Sequence, residues 1–293
     1  MHFDIDIPRW DAGIPVCKRA KLDIGTFCNY NCYFCYYKHS LNKKDSLGEV
    51  LQRISALKRL GCCDFDLSGG EPTVCAEFFD ILKELEGNKI SCVSNGYNFA
   101  NFDFISKAKD FGLSEILLSL HSGNPETHNF MVGNTQAYQR IIKAIENANK
   151  LDIEVRLNST ITQDNADLKG FKETISNFNI SQINFLPVNN FAQTKQNPNI
   201  PLNAIIEFTQ NSHISVNVRY IPFCWAPEIA GNIKNYYQHI FDLKDWNIAW
   251  YEYLPDTWEN LNAIIKQNRK SYYFKAPKCL ECPHLRVCDG FKK

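Results

Sequence analysis

The sequence has no excess of charge of either sign: its 293 residues carry 32 basic and 32 acidic side chains. That balance gives no reason to expect nucleic acid as a partner, and no acidic run forms a solvated tail. Also missing is any apolar run long enough to span a bilayer, and the polar start MHFDIDIPRWD does not read as a signal peptide. The expectation is a cytoplasmic protein without a membrane partner. Low-complexity segments are absent, and so are internal repeats beyond a β/α alternation.

The composition is 44% hydrophobic and 13% aromatic, which suits a packed globular fold. The length allows one large core or two smaller ones. Cysteine is abundant, with 12 residues. In a reducing compartment disulfides are rare, and clustered thiols bind metal or do redox chemistry. Cys28, Cys32 and Cys35 form one cluster, and Cys279, Cys282 and Cys288 another. Cys17, Cys62, Cys63, Cys75 and Cys92 are scattered and read as small buried hydrophobes. Cys224 stands apart, alone between residues 93 and 278.

Short β-rich runs alternate with helical patterns from residue 19 onward. RAKLDIGT (19–26), CDFDLSGG (63–70), KISCVSNG (89–96), SEILLSLHSG (114–123), IEVRLNSTIT (153–162) and QINFLPV (182–188) read as strands. Between them, residues 47–61, 76–87, 102–112, 137–151 and 168–178 carry apolar side chains at helical spacing. Six strands at about 30 residues per unit predict right-handed βαβ units in a parallel sheet. The expected fold is therefore α/β, a partial (β/α)6 TIM-type barrel over residues 18–190. Residues 189–203, rich in Asn and Pro, read as a linker. Residues 200–293 then form a small C-terminal region: a short helix, a strand ISVNVRYIP and an aromatic tail ending in KCLECPHLRVCDGFKK.

CNYNCYFC follows the first strand directly, so its thiols lie on a strand-end loop, where α/β barrels place their chemistry. Two metal centres fit this spacing. Zinc wants four ligands, and His39 offers a fourth. A 4Fe–4S cluster on three thiolates keeps one iron open for a further ligand. C-x3-C-x2-C at this place, with aromatic Phe34 before the last cysteine, resembles the signature of the radical S-adenosylmethionine (radical SAM) superfamily. The resemblance implies that Cys28, Cys32 and Cys35 hold a 4Fe–4S cluster whose open iron chelates the amino and carboxylate groups of SAM. Other motifs fall in the family's order. SGGEP at 68–72 is similar to its GGE motif, which implies that Gly69, Gly70, Glu71 and Pro72 hold the SAM amino group, the glycines letting backbone approach the ligand. SNG at 94–96 supplies Ser94 and Asn95. SLHSGNPETHNFMVG supplies Ser119 as a SAM contact, and VRLNSTIT supplies Arg156 and Asn158 for carboxylate or ribose. His121 reads as structural.

The C-x2-C-x5-C of the tail is similar to the auxiliary-cluster pattern of SPASM and twitch C-terminal extensions, in a reduced, one-cluster form. Three readings stay open: a second 4Fe–4S cluster on Cys224, Cys279, Cys282 and Cys288; a cluster with three thiolates and an open iron; or a structural zinc with His284. The resemblance implies reductive cleavage of SAM to a 5′-deoxyadenosyl radical, which takes a hydrogen atom from a substrate C–H bond. Oxidation or cross-linking of a small molecule or peptide follows if a second cluster accepts an electron. Epimerisation follows if Cys224, kept as a thiol, returns a hydrogen atom. An electron donor such as flavodoxin or ferredoxin is implied. The aromatic tail, Trp225, Trp246, Trp250, Tyr251 and Tyr253, packs as core or closes the barrel mouth. Outside this class stand a non-catalytic iron–sulfur electron carrier and a zinc-stapled binding protein.

Overall fold

The structure, a computed structural model, describes residues 19–35, 37–38, 44–59, 61–187, 200–234, 273–285, 288 and 290–292. Eight strands form one sheet: β1 Arg19–Asp23, β2 Asp64–Ser68, β3 Lys89–Ser94, β4 Leu113–Leu118, β5 Glu154–Ile161, β6 Gln182–Pro187, β7 Ser215–Arg219 and β8 Ile233–Lys234. They pair in sequence order, all parallel, and β1 does not meet β8, so the sheet is an open curl. Seven α-helices are described: α1 Leu47–Arg59, α2 Phe78–Glu84, α3 Phe102–Asp110, α4 Pro125–Val132, α5 Ala137–Lys150, α6 Leu168–Ile175 and α7 Leu202–Gln210. This is an α/β partial TIM-type barrel. No helix among the described residues is long and apolar enough to cross a membrane.

The six expected strands are all present, and two more extend the sheet. ISVNVRYIP, assigned from sequence to the C-terminal region, supplies β7, which pairs with β6 from Gln182↔Ser215 to Phe185↔Val218. The two-residue β8 was too short to show any period. The sheet therefore runs past the linker. A separate two-stranded sheet, β9 Tyr273–Phe274 with β10 Phe291–Lys292, closes the tail antiparallel.

Local chemistry explains where the helices begin. Ser46 and Glu49 form a reciprocal capping box at α1, with Ser46 N donating to Glu49 Oε2 at 2.7 Å and Glu49 N to Ser46 Oγ at 3.3 Å. Asn101, Asn124 and Asp167 cap α3, α4 and α6 through their side-chain oxygens. The sequence reading missed α4, although Asn124, Pro125 and a left-handed Gly133 mark both its ends.

Alternation along the strands divides the sheet. Leu22, Phe65, Leu67, Ile116, Leu157 and Phe185 are fully buried in one apolar cluster with helical residues such as Phe78 and Phe171. Burying each such side chain contributes about 1.5–3 kcal/mol. The opposite, concave face is polar and also buried. Arg19 donates through Nε and Nη2 to Asp66 and through Nη2 to Glu115 at 2.8 Å, and Glu115 also pairs with Arg156. Next to this ionic floor lies a row of amides in register, Asn158↔Asn184↔Asn217. Asn184 Nδ2 donates to Asn158 Oδ1 at 3.0 Å, and Gln182 Nε2 to Asn184 Oδ1 at 3.0 Å.

Candidate cofactor site at the strand ends

The cysteine loop after β1 is laced to three other strand-end segments and to the end of α4. On one side it meets SGGEP. Gly70 N donates to Gly25 O at 3.0 Å and Glu71 N to Phe27 O at 2.8 Å. A Cβ on Gly69 would run into the Gly25 carbonyl oxygen, and one on Gly70 into that of Phe27. The glycines are thus required by close approach of the β1 loop; sequence had suggested approach of a ligand. On the other side, Asn31 N and Tyr33 N donate to Val132 O and Met131 O at the end of α4, at 3.1 and 3.3 Å. Tyr33 Oη reaches the loop after β5, donating to Asp164 Oδ2 at 2.6 Å.

Glu71 is the hub of this lacing. It is 2% exposed, caps the 3-10 turn Pro72–Val74 and gathers four donors. Thr73 N at 3.2 Å, Thr73 Oγ1 at 2.5 Å and Ser94 Oγ at 2.8 Å meet Oε1, and Asn95 N at 2.6 Å meets Oε2. Burial pushes the Glu71 carboxyl above its ordinary range, and these donors oppose that rise. Asn95 then passes the order on: its Nδ2 donates to Asn29 Oδ1, between Cys28 and Cys32, at 2.8 Å.

The three thiols are half-buried and within electrostatic reach of one another. Burial is the main cause that pushes each upward, Cys28 to about 11, and the neighbouring thiols add to the rise at Cys28 and Cys32. A bound metal reverses this, because a coordinating thiol is deprotonated outright. Among the described residues, no three His, Cys, Asp or Glu side chains are gathered around one point as for a single ion; a cubane cluster takes its thiolates from further apart. Two buried donors of the loop, Asn29 Nδ2 and Tyr30 Oη, have no partner among the described residues. Three thiols beside two orphaned donors fit a sulfur-rich, acceptor-rich group. His39 lies outside the described residues.

The other candidates separate. Phe34 packs edge-on against His121, ring centroids 4.8 Å apart. His121 Nδ1 accepts from Thr160 N at 3.1 Å, and burial first, then His128, holds its imidazole well below the ordinary range, so it is a neutral structural group. Ser119 sits just past β4, its N–H on Ser94 O at 3.0 Å. Asn158 faces the concave side, half-buried. Arg156, expected at a ligand, joins the ionic floor through an ion pair with the buried Glu115 carboxylate. Charged residues inside β-rich runs, such as Arg19, Asp66 and Glu115, were the signal for that floor. Of the scattered cysteines, Cys62 and Cys92 are buried as expected, Cys75 is half-buried and Cys63 is exposed; Cys17 lies outside the described residues.

In the tail, Cys279 and Cys282 are half-buried and Cys288 is buried, on successive turns closed by Cys282 N to Cys279 O at 3.2 Å and Cys288 N to His284 O at 2.9 Å. The short turn Phe223–Trp225 carries exposed Cys224. Its two neighbours dock on this tail. Phe223 stacks on His284 with centroids 4.6 Å apart and planes 12° apart, and Trp225 contacts Phe291 at 6.2 Å. Trp225 is 43% exposed. Trp246, Trp250, Tyr251 and Tyr253 lie outside the described residues.

A partial barrel with a thiol-bearing loop braced at its strand ends defines a class of cofactor-dependent α/β barrel. The chain belongs to the radical SAM superfamily: the family model matches residues 22–175, just over half of it. Membership implies a SAM-binding 4Fe–4S cluster. Among curated proteins, the chain is 33% identical over 171 residues to a probable GTP 3′,8-cyclase of Sulfolobus acidocaldarius, covering 54% of this chain and 52% of that one. A protein of the same name from Thermoplasma volcanium is 29% identical over 159 residues, 52% of this chain and 47% of its own length. The chain thus spans about half the length of the curated relatives it matches. Among solved structures, Streptococcus suis SuiB bound to precursor peptide SuiA has a TM-score of 0.67 at 14% identity, over 95% of this chain and 72% of that one. The anSMEcpe structure with bound AdoMet has a TM-score of 0.60 at 20% identity, over 93% and 88%. These two likenesses are of fold.

Proposed function

We propose that the chain is a radical SAM enzyme in which Cys28, Cys32 and Cys35 hold the 4Fe–4S cluster. When bound, the cluster and SAM supply a 5′-deoxyadenosyl radical that takes a hydrogen atom from a substrate C–H bond. The chain's own part is positioning and exclusion of water. Glu71 fixes Asn95, Asn95 fixes Asn29, and the glycine pair sets the depth of the cysteine loop. Ser119 and Asn158 line the concave side where SAM lies, buried Ser94 supports the site from below through its hydrogen bond to Glu71, and Phe34 shields the loop from the His121 side. The observation that carries this reading is the lacing of the three-thiol loop onto SGGEP and Asn95 within the span that matches the family. The test is anaerobic reconstitution with iron and sulfide, then SAM and dithionite. The parent chain yields 5′-deoxyadenosine, and the triple variant Cys28→Ala, Cys32→Ala, Cys35→Ala does not. A triple variant that still cleaves SAM sinks the assignment.

The proposed outcome is oxidation or cross-linking of a small molecule or peptide, with Cys224, Cys279, Cys282 and Cys288 as ligands of a second 4Fe–4S cluster in a C-terminal region from about residue 200. The docking of Phe223 and Trp225 on the tail supports the ligand role of Cys224. A flavodoxin or ferredoxin is the proposed electron donor. Cyclisation of a nucleotide, as in the names of the curated relatives, is the second reading. It rests on the SAM-domain half of the chain, and incubation with GTP decides it.

A further inference from the structure

Two of the buried polar atoms without a partner among the described residues fall in the four residues Asn29–Cys32. Both groups can donate, and an unmade buried hydrogen bond costs about 1–3 kcal/mol. Asn29 cannot relieve this by turning over. Tyr97 N donates to Asn95 Oδ1 at 2.9 Å, which fixes the Asn95 amide with Nδ2 outward. Asn95 Nδ2 then needs an acceptor, and Asn29 Oδ1 supplies it at 2.8 Å. The Nδ2 of Asn29 is therefore committed to the other direction.

Tyr30 is 6% exposed and forms one apolar cluster with Val132 and Ala137, against which Cys28, Cys32 and Tyr97 pack. Its backbone N–H already reaches Cys28 Sγ at 3.5 Å. Its ring stands edge-on to Tyr97 at 6.2 Å. Burial is the main cause that pushes its hydroxyl above the ordinary range, Glu71 adding to the rise and Arg140 opposing it. Glu71 does not take its proton; the carboxylate is engaged by Thr73, Ser94 and Asn95. A packing role needs no hydroxyl at all.

We infer that Asn29 Nδ2 and Tyr30 Oη donate hydrogen bonds to sulfur atoms of the iron–sulfur group held by Cys28, Cys32 and Cys35, and so raise its reduction potential. This rests on the proposed reading of the cysteine loop. Donors to cluster sulfur stabilise the more negative, reduced form, and outer hydrogen bonds of this kind tune metal centres generally. Both residues are positioning and tuning groups.

The test is an EPR-monitored redox titration of the reconstituted full chain without SAM, following the signal that the triple cysteine variant lacks. Tyr30→Phe removes one oxygen and keeps the ring. It should keep the parental iron and sulfide content, move the midpoint to a more negative potential and lose one exchangeable-proton coupling in deuterated buffer. Asn29→Ala should move the midpoint the same way. A parental midpoint in both variants overturns the inference, as does a shift that appears only once SAM is added. A parent chain without any signal from the loop overturns the cluster reading itself.

Discussion

Glu71→Gln separates two roles for the same carboxylate. The sequence motif implies a contact with the SAM ammonium, whereas the structure surrounds Glu71 with four protein donors. Glutamine keeps the shape but offers one acceptor oxygen. Its better orientation leaves that oxygen with Thr73 and Ser94 and sets its NH2 against Asn95 N, where Oε2 now accepts at 2.6 Å. The variant loses one charge-assisted hydrogen bond and opposes two donors in a buried place, together about 2–4 kcal/mol. In a chain of this size that corresponds to a fall in Tm of roughly 5–10 °C. Release of Asn95 also frees Asn29, so iron loading falls with stability. The assay is a thermal melt with iron and sulfide content on the same anaerobic preparation, followed by SAM affinity. Parental Tm and iron with weakened SAM binding alone would refute the bracing role and make Glu71 a direct SAM ligand.

Arg156→Met should destabilise by about 2 kcal/mol, because buried Glu115 loses one of three cationic partners and keeps Arg19 and Lys89; parental stability with reduced SAM affinity would place Arg156 at the ligand site. Burial alone would raise the Asp66 carboxyl, but Arg19 outweighs it and holds the group at about 2 against an ordinary 3.8. A lowered folded-state value means stability that is fully present above the ordinary range and lost as pH falls through about 2. Unfolding of the iron-free chain should therefore ease between pH 4 and pH 2 by something on the order of 2 kcal/mol, and Asp66→Asn should flatten that slope. Cys224→Ala should remove iron and the tail signal together if Cys224 is a ligand; full iron, normal SAM cleavage and a stalled or oxidised product would instead mark it as a hydrogen donor for epimerisation.

The barrel was legible because its strands and helices repeat strongly enough to betray their period. QINFLPV and IEVRLNSTIT have few other ways to fold, and both appear within a residue or two of their expected bounds. β8 was not legible, since two residues carry no periodicity. The cysteine loop, SGGEP and SNG could be read as motifs, but their mutual support could not. Nothing in the spelling of Asn29 or Asn95 says that one amide turns the other. Arg156 shows a related point: a polar residue in a strand names a face, and the pairing with Glu115 on the neighbouring strand could not be read from the sequence.

The concave face orders these effects. Its floor sets two guanidinium groups, Arg19 and Arg156, against two carboxylates, Asp66 and Glu115. Paired charges in a low-dielectric interior are costly to separate and leave little net field for a ligand. The uncharged amides of Asn158, Asn184 and Asn217 beside them offer hydrogen bonds without charge. Discrimination of a charged cofactor therefore falls to the strand-end loops, where Glu71 is fully engaged and the thiols wait for a metal. That division explains why the loops are braced so heavily. The groups that must meet the cofactor stand on segments without a ladder of their own, and they are held by hydrogen bonds borrowed from β2, β3, α4 and the β5 loop.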